Sequence, residues 1–186
     1  MEYLREVIKH HVSGRLKVAP EHTSDQVLDL MRKPSFKLFH KLNKVFQEIN
    51  KEEGLNQQLI PYFISSHPGC ENTDMANLAV ETKQLDFKLE QVQDFTPTPM
   101  TLATVIYYTG YHPYTMQPVF TAKSQKEKLA QRKYFFWYQR EYHQEIKSEL
   151  LRLNRRDLLD GLFGKQASPS PSKEGGQNSP QTRKHR

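Results

Sequence analysis

Two junctions in this chain do most to limit how it can fold. The first runs from Gly14 to Asp25 and the second from Leu59 to Thr73. Each is a short apolar run (Leu16 to Ala19, Leu59 to Ile64) that breaks into a polar turn and then into a helix start. Strand-to-helix junctions in series mean parallel pairing through right-handed crossovers. They also bring their polar turns to one edge of a sheet, where α/β proteins hold ligands.

The rest of the chain can be read around these junctions. Residues 2–11 have helical spacing, with Leu4, Val7, Ile8 and Val12 on one side, and Gly14 closes that segment. Ser24 and Asp25 are capping types for a helix with Val27, Leu28, Leu30 and Met31, which Pro34 ends. Phe36, Phe39, Leu42, Phe46 and Ile49 form the apolar stripe of a longer helix. The run from Leu59 to Ile64 predicts a strand covered on both faces, with Pro61 tolerated near its start. Asn72 or Thr73 is expected to cap the next helix, and Leu89 to Phe95 is expected to be a third strand. Three parallel strands leave open margins that invite further pairing.

Beyond residue 95 the composition changes. A stiff Thr/Pro loop leads to a short helix capped by Thr101 and stopped by Gly110, and residues 111–122 are turn-rich. Helices resume from Ser124, with Leu129, Phe135, Phe136 and Trp137 as expected anchors. A further helix is predicted over about 142–153 and a last one over Asp157 to Phe163. Residues 165–186 have no aliphatic side chain larger than Ala167 and read as a disordered basic tail.

Mean hydropathy is −0.79, and no stretch is long enough to span a bilayer. The single cysteine excludes a disulfide framework and suits a reducing compartment, so a cytoplasmic protein is expected. The net charge of +6 raises nucleic acid as a partner, but the tail alone supplies +4 of it. The run from Tyr134 to Tyr138, flanked by Arg132, Lys133 and Arg140, would suit base stacking but is better explained as packing.

Two polar turns could carry chemistry. Glu21 and His22 end the first strand. A carboxylate there can accept from a ribose hydroxyl pair, or simply favour the following helix N-terminus. In Ser65, Ser66, His67, Pro68 and Gly69, small residues let backbone amides approach a flat ring or an anion, although the same residues also make an ordinary turn. Cys70 with His67 lacks the third group of a nucleophilic triad, and His10, His11, His22 and His67 match no zinc spacing.

Three segments carry a family resemblance: Leu16 to Thr23, Leu59 to Gly69 and Val92 to Met100. They resemble the C-terminal part of a YgiQ-family radical S-adenosylmethionine protein, and the likeness covers about residues 3–163. It implies an α/β fold: residues 1–110 as the later portion of a partial (β/α) barrel of about three parallel strands, then a mainly helical extension of unknown role over 111–164. It further implies binding of S-adenosylmethionine and, in the intact family, a four-iron four-sulfur cluster whose electron generates a 5′-deoxyadenosyl radical. By the same resemblance Glu21 and His22 face the ribose, Ser65, Ser66, His67 and Gly69 border the adenine or substrate, and Asp94 helps to close that face.

The cluster takes three thiolates, and this chain has one cysteine. The resemblance therefore implies a chain lacking the cluster loop, inactive alone, from a truncated or split gene or a partial gene model. A separately encoded N-terminal half would be its partner. A self-standing RNA-binding module using the basic helices and tail is the competing expectation.

Overall fold

The computed structural model describes residues 2–89 and 92–164. The predicted tail, and residues 90 and 91 of the predicted 89–95 strand, lie outside the described residues. The first half alternates as the junctions require. Helix α1 (Glu2–His11) leads to strand β1 (Arg15–Glu21), then α2 (Asp25–Leu30) and α3 (Lys37–Glu52). Strand β2 (Gln58–Ser65) is followed by α4 (Asn72–Gln84) and β3 (Val92–Asp94). The three strands form one parallel sheet in the order β1-β2-β3, so all their carboxyl ends lie along one edge. After β3 come α5 (Leu102–Thr109), α6 (Gln125–Arg132), a 3₁₀ turn (Lys133–Phe136), α7 (Arg140–Arg152) and α8 (Arg156–Phe163).

The central strand departs from the two-faced cover expected of it. Leu59, Pro61, Phe63 and Ser65 are buried, whereas Ile60, Tyr62 and Ile64 on the opposite face are only half-buried. The buried face packs into a single apolar cluster with Phe39 and Phe46 of α3 and Met75, Leu78 and Ala79 of α4, and the Phe63 and Phe36 ring centroids lie 6.1 Å apart. This one-sided cover is consistent with a length of barrel wall, where helices line only the outside.

Two prolines shape the β1–β2 ladder. Pro61 pairs opposite Val18, well inside β2 rather than at its start. The register then slips: Ala19 and Pro20 stand against Tyr62 alone before Glu21 meets Phe63. Neither proline can donate to the ladder, and the extra β1 residue makes a bulge that turns the strand. Glu21 leaves the bulge with φ of 68°, a left-handed conformation rare for a glutamate.

The C-terminal helices complete the same core. Tyr134, Phe135, Ile146, Leu150, Leu158, Leu159 and Leu162 join the cluster formed by the sheet and its helices. The aromatic run is therefore packing, with Tyr134 and Phe135 fully buried. Leu129 is not the anchor expected of it: it is 54% exposed, and the fully buried position on α6 belongs to Gln131. Nor does Asn72 cap α4. Glu71 occupies that position, its N–H donating to Asp74 Oδ2 at 2.9 Å, and the Asn72 amide is drawn instead to Glu149 of α7.

Glu149 belongs to a buried ion network. Lys133 is 5% exposed and Glu149 7%, and they pair directly, with Glu145 as a second partner of Lys133 at 2.8 Å. Removing one member of a buried pair leaves the other desolvated without compensation. We expect Lys133→Ala to lose about 3–5 kcal/mol of unfolding free energy in urea titrations, far more than an exposed lysine would.

Candidate functional site

The carboxyl edge of the sheet gathers polar groups from all three strands. Glu21, His67 and Asp94 line one cavity of about 320 Å³, together with Lys33, Ile64 and Phe95. The bulge in β1 delivers Glu21 to this wall. Lys33, just beyond α2, donates to Glu21 Oε1 at 3.1 Å, and Oε2 has no partner among the described residues. Lys33 has no sequence signal for this role, because it meets Glu21 only through the turn of the chain around α2.

Asp94 is held on both oxygens. The Ser65 hydroxyl donates to Oδ1 at 2.6 Å, and Arg132 of α6 donates to Oδ2 at 3.1 Å. The Phe95 N–H continues the β2–β3 pairing by donating to the Ser65 carbonyl at 2.8 Å. His67 is nearly buried and meets Phe95 edge-on, with ring centroids 5.0 Å apart. Its Nδ1 lies 2.9 Å from the Pro68 carbonyl, which can only accept. The proton is therefore on Nδ1, and Nε2 keeps a lone pair.

The remaining candidates turn elsewhere. His22 is fully buried and points away from the cavity: its Nδ1 accepts the Ser24 N–H at 3.0 Å, which places its proton on Nε2, 3.5 Å from Cys70 Sγ. Ser66 is in the left-handed region at φ 61°. Its N–H donates to Gln131 Oε1 at 2.7 Å, and its buried hydroxyl has no partner among the described residues. Gly69, at φ 83°, lines a second cavity of about 770 Å³ beside α2, with His112 and Phe120 across from it. A Cβ there would overlap Leu30, and its N–H is already given to the Phe120 carbonyl at 2.8 Å. The edge thus brings Glu21, His67 and Asp94 together, and His22, Ser65, Ser66 and Gly69 support or flank them.

Gln131 and Arg132 contribute to this edge from far along the chain, and no local pattern marks them. Among the described residues no three His, Cys, Asp or Glu side chains come close enough to hold a metal ion. No described helix is long and apolar enough to cross a membrane.

Comparison with known proteins gives the chain its relatives. Residues 90–185 match a family model described as "Domain of unknown function (DUF3362)". The chain is 67% identical over 164 residues to a "UPF0313 protein" of Bacteroides thetaiotaomicron, covering 88% of this chain and 26% of that one. It is 64% identical over 167 residues to a "UPF0313 protein" of Porphyromonas gingivalis, covering 90% of this chain and 26% of the relative. With a "UPF0313 protein" of Methanocella arvoryzae the identity is 47% over 158 residues, covering 85% and 26%. The chain thus spans about a quarter of the length of the curated relatives it matches. No solved structure matches it.

Burial sets the ionisation behind this edge. It pushes the His22 pKa down to about 3, helped by the nearby His67, whose own pKa burial also lowers. Burial pushes the Cys70 thiol well up, so the pair is a neutral imidazole beside a neutral thiol. An unfolded histidine binds a proton below about pH 6.5 that folded His22 refuses. Stability therefore falls as pH drops from about 6.5 towards 3, with His22 contributing roughly 1.4 kcal/mol per pH unit. His22→Asn, whose carbonyl can take the Ser24 N–H, should flatten that slope in urea titrations at stepped pH.

Proposed function

This chain belongs to the DUF3362 family, and on that premise we propose that its strands form the later wall of a radical S-adenosylmethionine-type barrel whose carboxyl-edge cavity holds the adenosine part of S-adenosylmethionine. The observation that carries the reading is the convergence on a single cavity of Glu21 from the end of β1, His67 from the loop just beyond β2 and Asp94 from the end of β3. Its 320 Å³ lies within the range of small-ligand pockets. The resemblance of the three strand-end segments to YgiQ-family proteins supports the same assignment.

Each group has a task in this reading. Glu21 Oε2, which has no partner among the described residues, accepts from a ribose hydroxyl, while Lys33 keeps the carboxylate oriented. His67 Nε2 accepts from a ligand N–H, because its other nitrogen is committed to Pro68. Ile64 and Phe95 give the cavity an apolar side for a flat ring. Bound there and given one electron, S-adenosylmethionine would supply a 5′-deoxyadenosyl radical, with methionine as the leaving group. The cluster that reduces it takes three thiolates, and the residues present do not fit it: the one cysteine is buried as a thiol behind the edge. The ligands of such a cluster would belong to the part of the longer relatives that this chain does not cover.

Nuclear magnetic resonance titration of the chain with S-adenosylmethionine tests the reading. At about 1 mM ligand, a concentration that reports even weak binding, we expect amide shifts at Glu21, His67 and Asp94. Glu21→Gln, which halves the acceptor strength, should weaken binding about tenfold. Shifts confined to other surfaces, or none at all, would remove this function from consideration.

A further inference from the structure

We propose that Gln131 and Arg132, adjacent at the end of α6, are positioning residues of the carboxyl-edge cavity, so that the matched region of unknown function shapes the ligand site directly. The proposal rests on the adenosine reading above, and it gives α6 a role in the site beyond packing.

Gln131 is a fully buried amide that spends both its ends on one loop. Its Oε1 accepts the Ser66 N–H at 2.7 Å and its Nε2 donates to the Cys70 carbonyl at 2.6 Å. An N–H can only donate and a carbonyl only accept, so the amide orientation is unambiguous. One side chain thus fixes both ends of the loop that displays His67, including Ser66 in its left-handed conformation. Arg132 acts on the next strand over. It holds Asp94 Oδ2 while Ser65 holds Oδ1, so the carboxylate is gripped between β2 and α6. Two consecutive residues therefore set the ends of β2 and β3 relative to each other, and His67 and Asp94 with them. Neither residue lines the cavity, which makes them positioning rather than catalytic groups.

A merely structural role would change stability without changing recognition, so the test reads both. The full chain is titrated with S-adenosylhomocysteine, and amide hydrogen exchange is followed in parallel. Arg132→Gln should weaken the probe about tenfold with thermal stability unchanged, Arg132→Lys should recover to within about threefold of wild type, and Lys126→Gln, an equal charge loss on the same helix, should bind as wild type does. Gln131→Ala should speed exchange at the Ser66 amide at least about tenfold while α4 stays protected. Wild-type affinity in Arg132→Gln, or an unchanged Ser66 exchange rate in Gln131→Ala, overturns the proposal. If Gln131→Ala loosens α4 as well, the half-exposed Arg132 variants decide it alone. If the wild-type chain does not bind the probe but Gln131→Ala frees Ser66, the adenosine reading falls and the brace stands.

Discussion

Parallel pairing is the constraint from which the rest of this structure follows. A strand cannot be followed directly by a parallel neighbour, so each must be returned by a helical crossover. Every crossover here is a helix or pair of helices, and all three strands consequently finish at the same edge. That edge is where backbone pairing stops and polar side chains take over. The convergence of Glu21, His67 and Asp94 is thus a product of topology before it is a product of chemistry.

The local geometry of the edge comes from residues that break regularity. Pro20 and Pro61 withhold ladder donors, and the bulge beside them sends Glu21 out at a backbone angle that a regular strand would not allow. Ser66 and Gly69 likewise take left-handed conformations within the next loop. Behind this edge lies a buried, uncharged pair. His22 and Cys70 face each other in neutral forms, and the chain of hydrogen bonds from Ser24 through His22 to the thiol leaves the imidazole only one tautomer. At the cavity wall Lys33 balances Glu21, and Arg132, which is not part of the lining, balances Asp94.

Much of the fold was legible in the sequence, because helices and strands announce themselves over short distances. The stripe from Phe36 to Ile49 and the run from Leu59 to Ile64 each report their own element. What could not be read locally were assignments decided by a distant partner. Leu129 has the better apolar credentials on α6, yet Gln131 is inside, because the Ser66 N–H and the Cys70 carbonyl need an acceptor and a donor that an amide supplies together and a leucine cannot. Asn72 has the better capping credentials, yet Glu149, 77 residues away, claims its side chain. The half-open second face of β2 was hidden for a similar reason: Ile60, Tyr62 and Ile64 are apolar whether or not anything covers them. In the site, Glu21, His67 and Asp94 were marked by their place at or just past strand ends, whereas Lys33 and Gln131 had no mark and Arg132 stood out only as a cation beside the aromatic run.

The Gln131 bridge has a consequence in time as well as in space. It joins residues 65 positions apart, so the loop it fixes cannot settle while the chain between them is still being made. Crossovers β1–β2 and β2–β3 close over shorter spans and can form as they emerge from the ribosome. The loop bearing His67 must wait until α6 has left the exit tunnel, so the wall is raised first and its shape is set last, by a residue translated long after the strand it serves.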